Sequence, residues 1–294
     1  DWKVKSEAID ADGVVYGIIP HSESSIARIK NILLETSVDC ERFIFILPRH
    51  YSEIEDVVRE FNAVSVLRDA ANDDKVLFDE YEVVYEDLRE VIGSFMRGYT
   101  HPEEYKSRYI YNGEEISIGR KAALTEQMSK ICDQVYSCTP VINNEAMNKN
   151  EITATANNSR NKIVAALLRN ELEPNLGLTG SGQEVSIMRS TLIRTGVWEE
   201  NKGLPKINLR PNKIKHMSDV LEVIENFIIE TRKNGSMSFE ELYHRLVSPE
   251  GHIGLRKGLI PIYLAAVIHE YKREVIIADQ HGQVSLTADV LLQI

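Results

Sequence analysis

The sequence is poor in cysteine, with three in 294 residues: Cys40, Cys132 and Cys138. No two have C-x-x-C spacing, and an odd number makes no self-contained disulfide framework. A disulfide-stapled secreted fold and a cysteine zinc site are therefore not expected; reduced thiols in a cytoplasmic protein are. Long apolar runs are lacking as well. No uninterrupted stretch reaches the roughly 18–20 residues that span a bilayer, so no membrane partner is expected. Catalytic signatures are scarce: there is no H-E-x-x-H, no G-x-S-x-G and no acidic calcium ladder. The eight histidines are scattered. No catalytic residue, metal ligand or cofactor is assigned to this chain on that basis. The opening, "DWKVKSEAID", has no initiator Met and no basic-then-apolar secretion pattern. The expectation is an internal piece of a longer protein.

Charge is present but uneven. The net value is −11. Residues 1–149 hold 17 basic and 28 acidic residues, residues 150–217 hold 10 and 6, and residues 218–294 hold 7 and 11. A weakly basic middle in an acidic chain points to an anionic partner, set against the plainer reading of a mixed solvated surface.

The first region alternates short apolar runs with helical patterns. "GVVYGIIP" and "RFIFILPRH" read as strands ended by Pro20 and Pro48. The helix after the first takes Ser22 or Ser24 as its cap, and the helix after the second takes Ser52, with Glu55 completing a capping box. Strand, helix, strand, helix reads as the edge of a doubly wound parallel sheet. Ligands of such sheets bind beyond the strands' carboxyl ends, which makes Arg49 and His50 candidates for the rim of a nucleotide site.

A long acidic helix follows, expected to end at Gly98. Its apolar positions, Val76, Leu77, Tyr81, Val84, Leu88, Val91, Ile92 and Phe95, read as one stripe. Asn112-Gly113 between β-prone arms marks a hairpin. A further helix stops before Pro140. Two more are expected over about 153–170 and 184–195, and "ENKGLPKINLRPNKIKHM" reads as a linker. From Ser218 on, three helices and a hairpin turning at His281-Gly282 have the order of a winged-helix-like module. In that reading Arg256 and Lys257 start the third helix and are the nucleic-acid candidates, although its body, "LIPIYLAAVIHEY", is too apolar to lie in a groove.

One stretch imitates a phosphate-binding loop. "GLTGSGQEVS" carries Gly177 and Gly182 four residues apart, but Gln183 and Glu184 stand where a P-loop has Lys and Ser/Thr. No strand leads into it. It reads as a helix-to-helix turn in which Gly180 and Gly182 supply permissive backbone angles. Arg160, Arg189 and Arg194 around it are candidate phosphate contacts, with ion pairing to Glu184 as the plainer alternative.

"CDQVYSCTPVINNEAMNKNEITATANNSRNKIVAALL", Cys132 to Leu168, resembles a segment that follows the core of the BREX-type phage-resistance P-loop ATPases of bacteria. "GHIGLRKGLIPIYLAAVI", Gly251 to Ile268, resembles part of a C-terminal helical module of the same proteins. The resemblance rests on general pattern, not on catalytic motifs. It implies that residues 1–72 end an α/β ATPase domain, that 73–200 form a helical extension with a hairpin near 108–118, and that 218–294 form a winged-helix-like module. The fold class is thus α/β followed by mainly α. ATP and Mg would belong to a longer parent whose Walker motifs lie upstream. The function implied is a non-catalytic portion of that ATPase. Its expected partners are the rest of the parent chain, DNA and other defence proteins, with homo-oligomerisation as a further possibility. The alternative is a stand-alone winged-helix nucleic-acid-binding regulator, and a small-molecule enzyme with an unrecognised site is a third reading.

Overall fold

In the computed structural model, residues 11–38, 40–201 and 203–293 are described. The fold is mixed α/β, with short strands and a majority of helix. The chain divides into two compact units, 1–135 and 136–294. The division falls between Val135 and Tyr136.

The first unit is built on β1 (Val14–Gly17), α1 (Glu23–Thr36), β2 (Phe43–Pro48), α2 (Glu55–Ala70), α3 (Lys75–Thr100), β3 (Ser107–Tyr111), β4 (Glu114–Ile116) and α4 (Lys121–Val135). β1 and β2 are parallel, with Val14 opposite Phe43. Ser22 begins α1, its N–H donating to Ser25 Oγ at 3.3 Å. β2 is central and buried along its length, as a continuous apolar run requires.

The sheet is not purely parallel. The Asn112-Gly113 hairpin adds β3 and β4 antiparallel to it, giving the order β1-β2-β3-β4. The hairpin expected in a helical extension thus completes the sheet, because Tyr109 and Ile110 are apolar on both faces and bury against β2.

α2 and α3 form an antiparallel helical arm. α2 starts at Glu55, behind Ile54 and without the expected Ser52 cap. α3 is capped by Asp74, whose carboxylate accepts from Val76 and Leu77 N–H, and it runs through Gly98 to Thr100. Its C-terminal end is anchored at the sheet, where Tyr99 Oη donates to Ile18 O at 3.1 Å and Ser107 Oγ to Gly98 O at 2.7 Å.

The second unit contains α5 (Ala154–Leu167), α6 (Gln183–Met188), a π-helical turn (Arg189–Ile193), β5 (Trp198–Asn201), β6 (Leu204–Ile207), α7 (Met217–Asn234), α8 (Phe239–Val247), α9 (Ile260–Tyr271), β7 (Ile277–Asp279), β8 (Gly282–Val284) and α10 (Ala288–Gln293). The expected linker starts inside the β5–β6 hairpin instead. One hydrophobic core runs from Ile142 to Leu291, so residues 218–294 share their interior with the helices before them. α9 is its centre: Ile260 to Ile268 are all buried. Arg256 and Lys257 lie in the turn before α9, both half-buried, rather than in the helix.

Candidate functional site

The glycine stretch is a helix-to-helix connection. After α5 the chain makes a 3-10 turn, Pro174–Gly177, with Asn175, Leu176 and Gly177 all at positive φ and Leu176 buried. Gly180 has φ 83°, whereas Gly182, at φ −65°, is an ordinary extended cap for α6. The permissive angles therefore fall on Gly177 and Gly180, not Gly182. No strand enters the loop.

The two side chains that differ from a P-loop are tied back to α5. Gln183 Oε1 accepts from Ser159 Oγ at 3.2 Å, and Glu184 meets Lys162 Nζ at 3.0 Å. Its own backbone N–H and then Lys162 hold the Glu184 carboxyl below the usual range. A carboxylate fixed at this helix start does not fit a nucleotide triphosphate with Mg, which would bring further negative charge against it.

Arg189 and Arg194 behave differently. Both are exposed, and neither guanidinium has an acidic partner among the described residues. The i→i+5 bond from Arg194 N–H to Arg189 O, 2.9 Å, closes the π turn between them. In an α-helix five residues separate two side chains widely around the axis. The wider π turn brings the second nearer the first around the axis, and such turns recur at functional sites. Both arginines consequently line one open hollow of about 230 Å³, with Asn143, Ser186, Ser190 and the Gly182 cap. Ser190 is fixed there, accepting from Asn144 Nδ2 at 2.7 Å. Two unpaired guanidiniums beside hydroxyls and a helix start can hold an anion such as a phosphate.

Arg160 is not part of this hollow. It is 8% exposed, and its guanidinium donates to Gly258 O at 3.2 Å and Asn157 Oδ1 at 2.7 Å. Burial lowers its pKa. It is a strut between α5 and the turn before α9, and the expectation of a phosphate contact is corrected accordingly.

In the first unit, Arg49 lies at the end of β2, beside a hollow of about 270 Å³ that also takes in Arg108 and Glu115. Lys30 Nζ meets Glu115 at 2.6 Å and Arg108 Nη1 meets it at 3.6 Å. Three cations therefore surround one carboxylate. Lys30, Arg108 and Glu115 escape sequence reading because they come from α1, β3 and β4, joined only by the fold. His50 points elsewhere, 3.5 Å from Glu23 and 87% exposed.

Arg256 and Lys257 have polar partners; Lys257 N–H donates to Asn150 Oδ1 at 3.4 Å. The buried α9 cannot enter a DNA groove. Among the described residues, none of Cys40, Cys132 and Cys138 is disulfide-bonded. Among the described residues, no three His, Cys, Asp or Glu converge as a metal site, and no helix is long and apolar enough to cross a membrane. No protein-family model, curated protein or solved structure matches the chain.

Proposed function

We propose that this chain is a non-catalytic portion of a larger P-loop ATPase of the phage-defence type, which serves assembly and phosphate contact rather than hydrolysis. The observation that carries this reading is how two stretches resembling that family interlock within the second unit. Cys138 N–H donates to His252 O at 2.9 Å, Thr139 Oγ1 bonds Ile253 O, and Gly258 N–H donates to Lys149 O at 3.0 Å. Arg160 completes the clasp on Gly258. Segments about a hundred residues apart in sequence thus form one structural element, as expected of a module retained as a whole.

In this reading the Arg189–Arg194 hollow grips phosphate, with DNA as the partner. A winged-helix-like module is supported by the order α7, α8, α9, β7–β8, which equally suits the rival reading of a stand-alone regulator. The buried α9 argues against base recognition in either case, leaving backbone contact, which is governed by salt.

The test is binding of labelled ATP and labelled duplex DNA to the whole chain at two salt concentrations, with an Arg189→Ala/Arg194→Ala variant alongside. The expected result is no ATP binding, together with weak, salt-sensitive DNA binding that the variant loses. Tight ATP binding would sink the non-catalytic reading. DNA binding that the variant retains would remove the hollow from it.

A further inference from the structure

The α2–α3 arm has two apolar faces on α3 and only one of them is used. One row on α3 holds Phe78, Tyr81, Tyr85, Leu88, Ile92, Phe95 and Tyr99, spaced alternately three and four residues apart, all at least half-buried; Tyr85 meets Phe61 and Arg68 of α2, and Tyr99 carries the row onto the sheet. This is the spacing of a helix-packing face. The single stripe expected from the sequence is therefore split. Its remaining members stay exposed: Val76 at 71%, Leu77 at 39%, Val84 at 39% and Val91 at 48%, joined by Val83 at 64%.

These five follow a repeat. The doublets Val76-Leu77 and Val83-Val84 are seven residues apart, and Val91 stands seven beyond Val84. Acidic side chains sit between them on the same flank, at Glu80, Asp87 and Glu90. None of the three has a partner among the described residues. A seven-residue repeat is the period at which one helix meets another. The flank covers about four turns, roughly 22 Å.

We infer that this outer flank of α3 docks a basic amphipathic helix of another protein, with apolar residues at seven-residue spacing between lysines or arginines. Charge chooses the occupant. Residues 53–100 hold 13 acidic and 5 basic residues, so a second copy of the arm would bring like charge against like. A helix carrying cations opposite Glu80, Asp87 and Glu90 would satisfy both the repeat and the unpaired carboxylates. The inference stands on the first unit alone and does not depend on the ATPase reading.

The test uses the full chain and a fluorescent 21-residue peptide with leucine doublets every seven residues and Lys/Arg between them. A scrambled peptide of the same composition is the control, and fluorescence anisotropy is read at about 150 mM salt. The patterned peptide is expected to bind at least about tenfold tighter than the scrambled one. Leu77→Ser/Val84→Ser and Glu80→Gln/Asp87→Asn should each weaken it about tenfold, with helix content by circular dichroism unchanged. The charge variant should also flatten the salt dependence. Equal binding of the two peptides, absence of binding, or indifference to the Leu77/Val84 substitutions would overturn the inference. So would self-association by sedimentation velocity that those substitutions abolish.

Discussion

The guanidinium of Arg68 on α2 lies 3.9 Å from the ring centroid of Tyr85 on α3. Phe61, also on α2, stacks with the same ring at a centroid distance of 4.7 Å. Arg68 then reaches on to Glu82 at 3.2 Å. One tyrosine is thus held by an aromatic and a cation from the facing helix. This matters because the arm buries little else: Val64 on α2 and Gly98 and Tyr99 on α3 are its buried residues.

Tyr85→Ala should loosen the arm while sparing the rest of the molecule. Loss of the stacked pair and the cation contact is expected to cost about 2 kcal/mol. Amide hydrogen exchange is the measurement: residues 55–100 should exchange faster, with the second unit unchanged. Uniform acceleration across the chain would show that the arm does not open on its own.

The arm also shows where sequence reading stops. Helices, the Asn112-Gly113 turn and the buried β2 run were legible because each is a local pattern. Asn112 and Gly113 do take positive φ, as such a turn demands. The choice of inward face on α3 was not legible. Two apolar stripes with nearly the same period lie side by side there, and only the partner helix decides between them. The mixed sheet was missed because its third strand arrives after two intervening helices. The Arg189–Arg194 hollow was half legible: both arginines were candidates, but i→i+5 closure leaves no mark in residue spacing. Arg160 misled because an arginine with a backbone carbonyl as its buried partner looks the same in sequence as a surface one.

The clasp in the second unit makes a sharper prediction. Gly254 has φ 59°, and a Cβ there would lie 2.9 Å from Tyr136 Cε1. A Cβ on Gly258 would lie 2.9 Å from Ile152 Cγ2 and 3.0 Å from Lys149 O, and would collide with the Met147 carbonyl. Each alanine substitution is expected to destabilise by about 1–3 kcal/mol, the Gly258 one through contacts with backbone that cannot swing aside. Arg160→Met should cost a similar amount, about 1–3 kcal/mol, by leaving Gly258 O and Asn157 without their donors. Combined with Gly258→Ala, it should cost less than the sum, because both act on one contact. Chemical denaturation of the unmodified protein, Gly258→Ala, Arg160→Met and the double variant checks this, with Gly254→Ala measured alongside. Full additivity would mean the clasp is not one unit.

The cations around Glu115 predict a pH dependence with a definite sign. The hydrogen bond from Lys30 is the main cause holding the Glu115 carboxyl below its usual range, with the charges of Lys30, Arg108 and Arg49 adding to it against a smaller opposing effect of burial. A depressed carboxylate stabilises the folded state above its unfolded pKa, and that contribution is lost as pH falls through the folded value. Lys30→Met should therefore lower stability at neutral pH, and the difference should shrink as falling pH protonates Glu115, below the ordinary carboxylate range. Glu115 and Lys30 are both about one-third exposed, so solvent screening limits the neutral-pH difference to about 1 kcal/mol or less. Thermal melts of wild type and variant across the acid range measure it. Equal differences at neutral and acid pH would mean Lys30 acts by packing its stem rather than through its charge.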